Sequence, residues 1–172
     1  MKLIDVVIDV EATGESAMTH SMIQIGHVDS EGNEFKANMR PMEGKLINPY
    51  AMKSINLTED EVWRWPDPAI QMAKYRSFLH NTYFNKFKVI PWSDNPAFDW
   101  QYVHGYLVHF TGRNPMGHSM RRIGDYYAGI VGQRNATSRW KKLRDTKHTH
   151  DALDDAKGNM EALQKIMNMK NV

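Results

Sequence analysis

The sequence contains no cysteine. A disulfide scaffold, a thiolate zinc centre, an iron–sulfur cluster and a cysteine nucleophile are therefore excluded. No apolar run approaches the ~18 residues that would cross a bilayer, and neither an internal repeat nor a low-complexity tract interrupts the chain. A Gly-rich phosphate loop is also missing. The opening residues Met1-Lys2-Leu3-Ile4-Asp5 place an acid inside the first apolar stretch and offer no small-residue cleavage site. A secretory signal is thus not expected, and a cytoplasmic, membrane-free protein is. Net charge is nearly absent too, at +2 from 22 Lys+Arg and 20 Asp+Glu. What is present is core material: 41% of 172 residues are hydrophobic, with five Trp, seven Tyr and six Phe. That suits one domain over residues 1–172.

The near-neutral sum hides an uneven distribution. Between Arg113 and Lys147 lie nine basic residues and two acids, a local charge of +7, which leaves −5 for the remainder. A basic stretch in an otherwise acidic chain suggests a polyanion partner, although a solvated loop has the same composition.

Leu3–Val10 is almost continuously apolar and rich in β-branched residues, the pattern of a central strand buried on both faces. Met22–Val28 alternates as a half-buried strand does, and Glu31-Gly32-Asn33 reads as a turn into a third strand over Glu34–Arg40. These three predict an antiparallel meander. Asn48-Pro49 opens a short helix, and Thr58 with Glu61 forms a capping box for another over Asn56–Trp63. Asp67-Pro68 starts a longer helix whose apolar face would carry Ile70, Ala73, Phe78 and Leu79. Phe87–Trp92 is a short strand with Pro91 required at its end. Helices are predicted over Phe98–Phe110 and within Arg121–Val131. Gly132–Lys147 is polar, basic and aperiodic, and reads as a mobile loop. Ala152, Ala156, Met160, Leu163 and Met167 recur every three or four residues, which makes Asp151–Asn168 the closing helix. The fold class is α/β, with a mixed central sheet flanked by helices.

Three segments place carboxylates where core is expected. Asp9 and Glu11, two apart at the end of the first strand, project from one face. Asp99 sits between aromatics in the first turn of a helix, while Asp94 reads as an ordinary capping or turn acid. Asp155 lies on the inward face of the closing helix, with His150 at that helix's start. Each has a bland reading as a solvated strand end, a helix-dipole partner or a helix-start residue. Converging, they would form four carboxylates without sulfur, a donor set for two Mg²⁺ or Mn²⁺ ions. Two such ions about 3.5–4 Å apart suit phosphodiester cleavage, with a neutral histidine as general base. His148 and His150 also raise a zinc site, but no further soft ligand supports it in the sequence.

With Asp9-Val10-Glu11-Ala12-Thr13-Gly14, Asn95-Pro96-Ala97-Phe98-Asp99 and His150-Asp151-Ala152-Leu153-Asp154-Asp155 in that order, the chain resembles the DEDDh family of 3′→5′ exonucleases in the ribonuclease H-like superfamily. Ile23-Gln24-Ile25-Gly26 and the stretch from Pro41 through Leu57-Thr58 add to the likeness, which is greatest to small bacterial and phage members. The resemblance implies that Asp9, Glu11, Asp99 and Asp155 hold two Mg²⁺ or Mn²⁺ and that His150 is the general base. Nucleoside 5′-monophosphates would leave from the 3′ end of single-stranded nucleic acid or an overhang. It further implies that backbone around Ala12 and Thr13 receives the terminal nucleotide, and that Phe98 packs beneath the site or stacks on a base. By chain continuity with His150, Arg139, Lys141, Lys142 and Arg144, with Lys147, would hold upstream phosphates. Tyr83-Phe84 would suit a homodimer interface. Two other classes stay open: a non-catalytic nucleic-acid-binding module with this fold, and a nucleotide hydrolase acting on mononucleotides.

Overall fold

The computed structural model describes residues 1–169. Its centre is β1 (Lys2–Ala12), flanked on one side by β2 (Met22–Asp29) and β3 (Glu34–Asn38) and on the other by β4 (Phe87–Ser93) and β5 (Arg121–Arg122). The sheet order is β3-β2-β1-β4-β5. β1–β2 and β2–β3 pair antiparallel, whereas β1–β4 and β4–β5 pair parallel. The meander and the mixed sheet are as expected from the sequence. The two-residue β5 carries too little pattern to be seen there. Pro91 lies inside β4 rather than at its end, opposite Val6 and just before the pairing with β5 begins at Trp92.

Alternation along β1 decides what each face meets. Ile4, Val6, Ile8 and Val10 point into a core shared with α3 (Pro68–Tyr83) and α4 (Pro96–Thr111). Val7 points the other way, into a core built from α5 (Ile123–Ile130) and α6 (Ala152–Met169). Asp9 and Glu11 share the face of Val7 and are therefore aimed at the start of α6. Two short helices, α1 (Pro49–Ser54) and α2 (Glu59–Trp63), bridge the meander to α3. The Thr58/Glu61 capping box forms, and Asp67 caps α3 through Ala69 N–H.

The buried face of α3 differs from the expected one. Met72, Tyr75, Leu79 and Tyr83 are buried and Phe78 is half-buried, while Ile70 and Ala73 face solvent. Hydrogen bonds make two tyrosines admissible in the core. Buried His27 bonds Tyr75 Oη at 2.9 Å through Nδ1 and Tyr83 Oη at 2.8 Å through Nε2. Tyr83 donates in turn to Asp29 Oδ2 at 2.9 Å. Tyr83 must then accept from His27, so the ring carries its proton on Nε2. Burial pushes the imidazole down to about 3, which keeps it neutral. Tyr83 is thus core rather than interface, and only Phe84 of that pair is exposed, stacked on His80.

The segment 132–147 is packed, not a free loop. A 3₁₀ turn at Arg139–Leu143 drives Trp140 fully into the α5/α6 core, and Ala136 is buried beside it. One aromatic anchor in a polar stretch leaves no periodicity to read. Trp140→Ala should cost about 3–5 kcal/mol by cavity formation. Urea denaturation checks this, and a loss under about 1 kcal/mol would show that Trp140 is not the anchor.

Candidate active site

α6 reaches the sheet because β2 offers no side chain where it arrives. Gly26 pairs with Asp9 in the ladder, and a Cβ there would stand 2.1 Å from the Ala152 carbonyl oxygen. Asp151 starts the helix by accepting from Leu153 and Asp154 N–H at 3.1 and 3.4 Å. Asp155 is fully buried; its carboxylate accepts from the N–H groups of Thr149 and His150, both at 3.1 Å. Its ligand oxygen lies within 4.8 Å of those of Asp9 and Glu11. Asp99 comes from the first turn of α4, where its Oδ1 accepts from Val10 N–H at 3.2 Å, so a β1 amide fixes it. His150 stands at the rim with Nδ1 3.9 Å from Glu11 Oε1. The five residues expected to form a site are therefore brought together from β1, α4, α6 and the turn before α6.

Electrostatics mark the cluster as unfinished without cations. Burial, reinforced by Asp99, Glu11 and Asp155, holds the Asp9 carboxyl well above the usual carboxylate range; Arg144 partly opposes this. Burial with the charges of Asp155 and Asp99 raises Glu11 to about 8. Burial raises Asp99 to about 7. Carboxylates crowded in this way ionise together only beside positive charge, and an all-oxygen donor set fits hard divalent ions.

The expected substrate contacts fare unevenly. Thr13 is buried, donating its N–H to Ser21 O at 2.8 Å and its hydroxyl to Leu46 O at 2.8 Å, while its carbonyl accepts from Asn48 N–H. Its backbone is engaged within the fold and not free for a nucleotide, and neighbouring Ala12 is buried opposite Met22. Phe98 is half-buried, edge-on to Tyr102. Arg144 turns inward, over the Trp140 ring and onto Asn159 Oδ1, so it braces α6 rather than reaching outward. Lys141 pairs with Asp94 at 2.5 Å, which makes Asp94 an ion-pair partner and not a cap. Arg139 bonds Gln133 and stays exposed, as does Lys142. Sequence reasoning set aside His148, yet its Nδ1 lies 2.8 Å from Asp155 Oδ1. Glu161 was missed outright. It accepts from Asp145 N–H, Thr146 N–H and the Thr146 hydroxyl, tying the approach to His150 onto α6. A lone acid on an amphipathic helix gives no such signal.

No protein-family model matches this chain. Among solved structures, it is similar to the nuclease domain of 3′hExo, a DEDDh family member bound to rAMP. That match has a TM-score of 0.74 at 17% identity, over 96% of this chain and 92% of that one. The fold is that of the DEDDh exonucleases. A second likeness is to Escherichia coli Exonuclease I in complex with a dT13 oligonucleotide. Its TM-score is 0.75 at 14% identity, covering 99% of this chain and 42% of that one. The 3′-5′ DNA exonuclease Cap18 of Escherichia coli is 25% identical over 96% of this chain and 92% of its own length.

Raised carboxyl groups fix the sign of the pH dependence. In acid, below the unfolded values, folded and unfolded chains are equally protonated at these groups. As pH rises toward 7–8, the folded chain keeps protons on Asp99 and Glu11 that the unfolded chain has lost. Stability of metal-free protein therefore falls across that window, on the order of a few kcal/mol, and levels off above it. Thermal melts in EDTA at pH 5.5 and 8.5 check this. Glu11→Gln should flatten the slope, and a flat wild-type profile would contradict the burial of these charges.

Proposed function

We propose that this chain is a divalent-metal-dependent 3′→5′ exonuclease that shortens single-stranded DNA or RNA, or a 3′ overhang, to nucleoside 5′-monophosphates. The observation that carries this reading is the meeting of Asp9, Glu11 and Asp155 within 4.8 Å, with Asp99 behind them and His150 at the open rim. The donor set fits two Mg²⁺ or Mn²⁺, held by Asp9, Glu11, Asp99 and Asp155. Such ions supply charge stabilisation at the scissile phosphate and activation of the attacking water. The chain's own part is to position and to move a proton. Amides of Val10, Thr149 and His150 aim Asp99 and Asp155. His150, half-exposed beside Glu11, accepts the proton released by the attacking water. Exposed Lys142 and Arg139 hold upstream phosphates, and half-buried Phe98 is the aromatic candidate for packing beneath the site or against a base. DNA is the first substrate to test, because Cap18, a relative in sequence, is named for it.

Purified protein with 5′-labelled single-stranded DNA and RNA, in Mg²⁺, Mn²⁺ or EDTA, tests the proposal. The expected result is a metal-dependent ladder shortening from the 3′ end, lost in Asp99→Ala and in the Asp9→Ala/Glu11→Ala double variant. His150→Ala should lower the rate by about 10²–10⁴-fold while protein stability is kept. Cleavage that persists in EDTA or in the double variant would overturn the reading. Release of phosphate from mononucleotides with intact oligonucleotides would replace it with a nucleotide hydrolase.

A further inference from the structure

The carboxylate cluster is flanked by one histidine more than the proposed chemistry uses. His148 and His150 lie two residues apart, and His150 has φ +59, a left-handed conformation that non-glycine residues avoid. That backbone places both imidazoles on the same side, with ring centroids 4.2 Å apart and edge to face. Both rings converge on one acid. One ligand atom each from His148, His150 and Asp155 lies within 4.8 Å of the others, and His148 Nδ1 is already 2.8 Å from Asp155 Oδ1. Glu11 stands 3.9 Å from His150 as a further oxygen. A tetrahedral zinc with bonds of about 2.0–2.2 Å needs ligand atoms about 3.3–3.6 Å apart, so small side-chain rotations close the set. The two imidazoles are about half exposed, at 51% and 44%, which lets an ion enter and leaves a water position open.

We propose that His148, His150 and Asp155 form a second metal site, selective for zinc, whose occupation switches the exonuclease off. Two imidazoles and one carboxylate favour Zn²⁺ over Mg²⁺, whereas the neighbouring all-carboxylate set favours Mg²⁺ or Mn²⁺. The two sites share Asp155, so zinc there draws on a carboxylate that the Mg²⁺ or Mn²⁺ set also needs. A zinc ion there also ties up the imidazole that would accept the water's proton. The inhibitory half of this proposal rests on the exonuclease reading above, but the site itself rests only on the geometry of the two histidines and the acid.

The test uses metal-stripped full-length protein and zinc alone, with zinc affinity read by competition with a chromogenic chelator. Wild type should take up one zinc that His148→Asn binds at least about tenfold more weakly. Asparagine can still donate to Asp155 Oδ1 but is a poor zinc ligand, and His148→Gln serves as the second variant if the first does not fold. At fixed Mg²⁺, the zinc concentration that halves exonuclease activity should rise by a similar factor in the variant. Equal zinc affinity in wild type and variant overturns the site. A His148-dependent zinc affinity with an unshifted inhibition midpoint overturns the switch. Absence of nuclease activity with every metal would sink the exonuclease reading, and the chelator measurement would still decide the site.

Discussion

Burial of carboxylates crowded at one end of β1 is the constraint around which this molecule is arranged. Burial first, and then the charges of Asp99 and Asp155 beside them, hold the carboxyls of Asp9 and Glu11 above the usual range. The fold answers with donors held by main chain: Val10 N–H for Asp99, and Thr149 and His150 N–H for Asp155. Arg144 adds a positive charge that acts on Asp9 from the α6 side. Gly26 completes the arrangement from the opposite direction, since any side chain there would hold the start of α6 off the sheet. These donors orient the acids without neutralising the cluster.

The elements that carry periodicity or a cap were legible from the sequence. β1 with its two facing acids, the Thr58 capping box, the Asp67-Pro68 start and the α6 stripe each rest on local rules, and each stands where those rules put it. Motif residues were legible because each acid interrupts an apolar pattern. What stayed hidden depends on partners far away in the chain. Tyr75 and Tyr83 enter the core only because His27, from another element, satisfies both hydroxyls. Trp140 looked like a loop residue because a single anchor has no period. Thr13 looked free because its partners Ser21, Leu46 and Asn48 come from segments that no local pattern joins to it. His148 was discounted because no further soft ligand accompanies it, and its contact with the carboxylate of Asp155, beside the left-handed turn at His150, is set by no local pattern.

The basic stretch from Arg113 to Lys147 shows how composition and structure divide one function between them. Its charge suggested a surface for phosphates, yet several of its cations hold the protein together. Lys141 pairs with Asp94 beside the α4 N-terminus, Arg144 lies under α6 against Trp140, and Arg122 pairs with Asp125. The segment is clamped further by Glu161 on Asp145 and Thr146, and by Lys165 on the Leu143 carbonyl and Asp145. Both clamps are side chains of α6, the helix that bears Asp155. His150, reached through this segment, is therefore tied to the same helix as Asp155. Two side chains that move as one body keep their spacing, which is how a polar site is preorganised. The exposed cations that remain, Arg139 and Lys142 among them, are carried on that braced segment.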